Sequence, residues 1–252
     1  MVATRRVGAE TLDGLVETDP AAQRSRRDLQ RVHLAMGTRA ILLRGLRSLR
    51  EFSPLATARP AARLRILELG AGDGSLMLGV ARELAPAWPA VELTLLDRQA
   101  LVGTATVASY AALGWAAVPL VADVLDWAAA PAADSAWGAA PPRWDLIVTS
   151  LFLHHFEGKA LEGLMAAISA RGDHFFACEP RRAWLALAGS HLVGALGANS
   201  VTRRDAVTSV HAGFRGHELT ALWPARGGDW WLREFSAGAF SHCFSAEPAR
   251  AT

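Results

Sequence analysis

The sequence predicts an α/β fold: a doubly wound, mostly parallel sheet with helices on both faces. Three observations predict it. An apolar run, Ile66-Leu67-Glu68-Leu69, stops at a turn with glycine at alternate positions, Gly70, Gly72 and Gly74, before a helical segment opens. Short apolar runs then alternate with helical patterns, a rhythm that demands parallel strands joined by right-handed crossovers. Acids stand at the carboxyl ends of several of those runs, at Asp97, Asp123 and Glu179.

Residues 1–20 are mixed in character and are expected to fray. From 21 to 52 the pattern is helical, with Leu29, Val32, Met36, Ala40, Leu43 and Leu46 at threes and fours, and Gly37 is expected to split it into two helices. The other face carries arginines, among them Arg24, Arg27, Arg31 and Arg39. Such a helix can address a membrane surface or nucleic acid. With 26 basic against 24 acidic residues the net charge is only +2, so a solvated arginine face is expected and a nucleic-acid partner is not. Residues 53–62, with Pro54 and Pro60, read as a linker. The chain therefore divides into an N-terminal helical unit, 1–62, and a main domain, 63–252.

In the main domain a helix is expected over 75–85, opened by Asp73 or Ser75 as N-cap. A second strand follows over 91–97, a helix over 99–113, and a third strand over 118–124. An Ala- and Pro-rich loop fills 128–142. A fourth strand over 144–150 leads into Leu151-Phe152-Leu153-His154-His155-Phe156, then a helix over 158–169 and a fifth strand over 174–179. Beyond Pro180 the rhythm changes to an apolar helix (184–196), a polar arginine-bearing loop (201–214) and a brief helix (216–223). A closing antiparallel hairpin is expected from 229–235 and 239–244.

Glycines at the first turn let the backbone take positive φ and let a ligand lie on the main chain. The dinucleotide fingerprint wants Gly-x-Gly-x-x-Gly. Here Ser75 stands where its last glycine belongs, and Glu68 sits two residues before the first. A carboxylate there repels a pyrophosphate and attracts a cation, which disfavours a nicotinamide oxidoreductase. Asp97 follows Gly74 by 23 positions, close to the offset at which a carboxylate reaches ribose hydroxyls in doubly wound folds.

This stretch resembles motif I of the class I S-adenosylmethionine-dependent methyltransferases, and the later strands supply companion motifs in order. The resemblance implies a Rossmann-like, seven-stranded sheet ending in a hairpin, with the N-terminal helices as a lid and residues of about 181–215 as a substrate cap. It implies S-adenosylmethionine as cofactor, its amino-acid part on Glu68, Gly70, Gly72, Asp73 and Gly74. Asp97 would meet the ribose and Asp123 the adenine end, and Arg98, Val124 and Ser150 would also bind the cofactor. His33, Met36, Thr38 and Arg39 become candidate lid contacts. The run Ser150-Leu151-Phe152-Leu153-His154-His155-Phe156 and the segment 201–210 are similar to small methyltransferases associated with type III polyketide synthases and, more distantly, to ubiquinone and menaquinone methyltransferases. That implies a small hydrophobic aromatic or phenolic substrate from secondary metabolism, methylated on oxygen or carbon.

Methyl transfer from a sulfonium needs two reactants in line and one proton managed. His154 and His155 follow the fourth strand, where ligands of open parallel sheets bind. His155 is the first candidate for general base and His154 the second. A metal site from His154, His155 and Glu157 is not expected, because adjacent histidines seldom converge on one ion. Glu179 and Arg181 either contact substrate or form a surface ion pair, and Arg203, Arg204 and His211 either bind an anionic substrate or are solvated. Most of the nine tryptophans belong in the core, with one or two of Trp184, Trp223, Trp230 and Trp231 available to a pocket. Cys178 and Cys243 read as reduced thiols of a cytoplasmic protein, and no apolar run reaches membrane-span length. Monomer and homodimer are both open. A non-catalytic relative that keeps the cofactor fold is the alternative reading.

Overall fold

The computed structural model describes residues 4–52, 63–130, 143–224 and 230–249. Its element order is α1 (Pro20–Met36), α2 (Thr38–Phe52), β1 (Leu64–Leu69), α3 (Ser75–Leu84), β2 (Val91–Asp97), α4 (Thr104–Ala111), β3 (Trp115–Val121) and α5 (Val124–Ala129). Then come β4 (Leu146–Ser150), α6 (Gly158–Arg171), β5 (Phe175–Pro180), α7 (Trp184–Leu192), α8 (Ser200–Ala212), α9 (Glu218–Leu222), β6 (Trp230–Ala237) and β7 (Ser241–Pro248). The seven strands form one sheet in the order β3-β2-β1-β4-β5-β7-β6. The first five pair in parallel and β7 is antiparallel to both neighbours, as the sequence leads one to expect.

Alternation along the strands sorts the core into two layers. Ile66 on β1 packs with Leu42, Leu46, Val80 and Leu84 from α2 and α3. Leu67 and Leu69 face the other way, onto Leu164, Ile168 and Leu219 from α6 and α9. Glu68 shares its face with Ile66, which is why a carboxylate ends up buried. The strand order reverses at β1, between β2 and β4, and the crevice beyond these carboxyl ends is where this topology places ligands.

Several boundaries move. β3 starts directly after the Gly114 turn (φ 78°), three residues before its expected start, and Pro119 is tolerated because β3 is an edge strand. Asp123 thus stands beyond the strand as N-cap of α5, its Oδ1 accepting from Leu125 N at 2.7 Å. β4 begins at Leu146, since Trp144 only bridges Gly172. α3 starts at Ser75 behind Gly74, and Asp73 accepts from Ser75 N. α4 is shorter than expected, starting after Gly103. The expected linker 53–62, most of the loop 128–142, and Asp229 lie outside the described residues.

Two expectations are overturned. Most of the stretch 201–214 lies in a helix, α8 (Ser200–Ala212), where a loop was expected. Asn199 caps it, and its first two buried positions are polar (Thr202 and Asp205, ahead of Val210 and Ala212), which hides the apolar period. Residues 4–19 are tied down where fraying was expected: Arg6 N donates to His211 O, and Thr11 N and Leu12 N donate to the Asp205 carboxylate at 2.8 and 2.9 Å. These bonds span more than 190 residues of sequence and leave no local pattern to read. Gly37, at φ 68°, separates α1 from α2 as expected.

Candidate active site

A cavity of about 840 Å³ opens at the carboxyl ends of β1, β2 and β4. Its floor is the glycine turn. Gly70 (φ 73°) leaves no room for a side chain, because a Cβ there would meet the Phe152 ring at 2.2 Å. Gly72 (φ 57°) has nothing within 4 Å of its Cβ position, so the main chain lies bare to the cavity. Tyr110 holds the turn from beneath, its hydroxyl donating to Gly74 O at 2.8 Å.

The acids around the turn are placed by backbone bonds. Asp97 accepts from Gly72 N at 2.8 Å and from Gln99 N at 2.9 Å. Asp73 accepts from Ser75 and, through Oδ2, from Gln30 Nε2 of α1 at 3.0 Å. Arg26, one turn earlier on α1, donates to Gln99 Oε1 at 2.8 Å, so α1 is tied down on both sides of the turn. Glu68 is different: it is buried, and its Oε2 has no hydrogen-bond partner among the described residues. Burial, then the charges of Asp97 and Asp73, raise its carboxyl to about 8. A buried carboxyl with an unused oxygen beside an open glycine turn can receive a cation.

At the end of β4 the chain makes a strained turn, with Leu151 at φ 52°. The turn aims three amide groups at Glu179 from the end of β5. Phe152 N, Leu153 N and His154 N lie 3.0–3.3 Å from its carboxylate oxygens, and His154 Nδ1 lies 2.9 Å from Oε2. Glu179 is fully buried, so the surface ion pair considered for it does not exist. The other ring nitrogen of His154 faces Glu10 Oε1 at 3.4 Å, and Glu10 also accepts from Ser209 of α8. Burial alone would lower His154, but the bonds and charges of Glu10 and Glu179 outweigh it and raise the imidazole to about 9. Burial would likewise raise Glu10, and His154, His155 and Ser209 reverse that. His154 is therefore an imidazolium at neutral pH, locked between two carboxylates.

His155 is the accessible member of the pair, 23% exposed against 3% for His154. Its Nδ1 lies 3.2 Å from Asp13 Oδ2, and the two histidine rings are 4.3 Å apart. Asp13 comes from a 3-10 turn, Leu12–Gly14, in the N-terminal segment, and Arg98 donates to its main-chain oxygen at 3.1 Å. Arg5 fastens the same region, bonding His154 O, Phe156 O and Ala212 O while stacking over Phe214. Glu10, His154 and His155 could seat a divalent cation, their ligand atoms lying within 4.8 Å of one another. Both ring nitrogens of His154 already face carboxylates, which leaves the imidazole no free nitrogen to offer an ion.

Of the residues singled out in the sequence, Glu68, Gly70, Gly72, Asp73, Asp97, Arg98, Asp123, Val124, Ser150, His154 and His155 all line this cavity. Gly74 supports the turn behind it. His33 and Met36 line it too, and burial brings His33 down to about 4. Thr38 is buried elsewhere, and Arg39 packs on Gly79. Arg181 bonds Gly238 O, while Arg203, Arg204, His211 and Glu157 do not belong to the lining. None of the four late tryptophans lines it either. Glu10, Asp13, Gln30 and Gln99 were missed. Their setting depends on contacts far apart in sequence, and only the acids of an otherwise mixed N-terminus hinted at them.

One wall of the cavity comes from α7, the 3-10 turn Val193–Leu196 and α8, and it is mainly apolar. No protein-family model matches the chain. No curated protein matches it either. Solved structures do. The chain is similar to the plantazolicin methyltransferase BpumL in complex with SAH, with a TM-score of 0.59, 12% identity, and 92% of each chain covered. BpumL with a pentazolic desmethylPZN analog and SAH gives a TM-score of 0.58 at 12% identity, over 92% of this chain and 93% of that one. An O-methyltransferase family protein from Burkholderia thailandensis gives 0.56 at 12% identity, over 92% of this chain and 61% of that one. The fold is therefore the Rossmann-like fold of these methyltransferases.

Proposed function

We propose that the protein transfers the methyl group of S-adenosylmethionine to oxygen or carbon of a small hydrophobic aromatic or phenolic acceptor. The observation that carries this is Glu68: a buried carboxyl with an unpartnered oxygen, beside a glycine turn open to a cavity in a methyltransferase fold. The cofactor supplies an activated methyl on a sulfonium. Glu68 receives its ammonium, the Gly70–Gly74 turn lies along its amino-acid part, and Asp73 adjoins it. Asp97 and Arg98 take the ribose, Asp123 and Val124 the adenine edge, and Ser150 borders the methyl group. α1 acts as the lid, latched by Gln30 on Asp73 and Arg26 on Gln99. Residues of about 181–215 form the acceptor cap, whose apolar wall suits an aromatic ring.

The proton is handled by His155. Asp13 holds Nδ1, which fixes the tautomer and leaves Nε2 to take the acceptor's proton as attack proceeds. His154 cannot share this role while it carries its own proton. It positions the His155 ring instead, and its fixed charge favours an anionic acceptor nearby. Support for the reading is the convergence of these groups on one cavity.

The test is a mass-spectrometric screen of phenolic acceptors with isotope-labelled S-adenosylmethionine. The expected result is a labelled methyl on at least one member of the panel. Tight binding of S-adenosylhomocysteine (SAH) with no product from any acceptor would favour the non-catalytic alternative.

A further inference from the structure

The helix that walls the cavity turns an apolar face outward. On α7 and the 3-10 turn that follows, the exposed stripe holds Trp184, Leu185, Ala188, Leu192 and Leu196, with His191 its one polar member. The spacing is helical, and the inward face (Ala186, Ser190, Val193) lines the cavity. An ordinary surface helix has its polar residues outside; this one is inverted. Trp184 is 69% exposed and Leu192 68%, while Leu34 on neighbouring α1 is 80% exposed. Side chains this exposed stand out from the surface as knobs.

The exposed charges on the elements that carry or adjoin the knobs are of one sign. On α1, α7, its following turn and α8, the exposed charged residues are Arg24, Arg27, Arg31, Arg203 and Arg204. The only acids on these elements, Asp28 and Asp205, are buried. Two of the arginines flank the apolar turn directly. Arg31 Nη1 lies 3.8 Å from the Cβ position of Gly197, and Arg203 Cδ lies 3.0 Å from that of Gly194.

We infer that this face docks on an anionic lipid bilayer. Apolar side chains, with a tryptophan among them, enter the boundary between headgroups and acyl chains, and the arginines pair with the headgroups. A bilayer fits better than a protein partner because protruding apolar side chains flanked by cations match a soft anionic surface. Leu192 and Leu196 belong to both the exposed stripe and the cavity wall, so docking sets the cavity mouth against the lipid. A hydrophobic acceptor could then pass from bilayer to site without crossing water. This last step rests on the proposed methyl transfer, whereas docking itself does not.

Vesicle flotation of the full chain tests it, with phosphatidylcholine vesicles against vesicles half phosphatidylglycerol. The expected result is partition onto the anionic vesicles at least about tenfold above the neutral ones, weakening as salt is raised. The double substitution Trp184→Ser/Leu185→Ser and the charge reversal Arg27→Glu/Arg204→Glu should each lower that partition about tenfold or more. None of these four residues lines the cavity, so SAH affinity should be unchanged and shows that the variants are folded. Failure of the wild-type chain to float with either vesicle overturns the inference. So does self-association in sedimentation that Trp184→Ser/Leu185→Ser abolishes while vesicle partition stays as it was, since the occupant would then be a second copy. Flotation without methyl transfer would overturn the proposed function and leave the docking surface standing.

Discussion

His154 presents Nδ1 to Glu179 Oε2 at 2.9 Å in a region where both side chains are shut away from water. Three backbone amides converge on the same carboxylate. Glu179 thus fixes the turn after β4, and that turn fixes where both histidines stand. Removing one member of a buried ion pair leaves the other uncompensated. Glu179→Ala should cost about 3–5 kcal/mol in urea unfolding.

The same pair makes stability depend on pH. The imidazole sits at about 9 in the folded chain against 6.5 for a free histidine. Its contribution is complete below the unfolded value and is lost as pH rises through about 9. A shift of this size amounts to something on the order of 3 kcal/mol. Glu68 acts in the same direction over part of the range: raised to about 8, it keeps a proton that the unfolded chain has lost, so stability also falls between its ordinary carboxyl value and 8. Wild-type melting temperature should decline from neutral pH to about 9. His154→Gln should remove the decline above pH 8, which thermal scans across buffers would show.

His155 and Asp13 should separate in kinetics. His155→Ala is expected to lower turnover by about 10²–10⁴-fold with little change in SAH affinity. Asp13→Asn should lower turnover less, because Asp13 only holds the ring that takes the proton. Equal turnover for Asp13→Asn and wild type would remove Asp13 from a positioning role.

Gly70 answers a steric question. A methyl group there would overlap the Phe152 ring, at a backbone angle that non-glycine residues resist. Gly70→Ala should weaken SAH binding at least about tenfold, and Phe152→Ala in the same chain should restore part of it. Calorimetric titration of both variants gives the comparison.

The sheet was legible because its information is local. Alternating apolar strands, the glycines of one turn and the order of strand-end acids all lie within short windows, and they placed Glu68, Asp97 and the histidine turn at one crevice. The N-terminal segment and α8 were not legible for the opposite reason. They are held by buried polar contacts, Asp205 with Thr11 and Leu12, and Asp28 with Asn199, which carry no periodicity. Glu10 and Asp13 arrive at the site on such contacts, so nothing near them in sequence marks them. The shift of β3 likewise follows from Gly114 ending the preceding turn and from an edge position that excuses Pro119.

The most direct measurement is calorimetric titration of the wild-type chain and Glu68→Gln with SAH at about pH 7, repeated in buffers of different ionisation enthalpy. Glu68 is protonated there in the free protein, and an incoming ammonium favours its ionised form. Wild type should bind and release about one proton per ligand, while Glu68→Gln binds more weakly and releases none. Absence of binding heat, or the same proton release from both chains, would contradict the claim that Glu68 receives the cofactor's charged end.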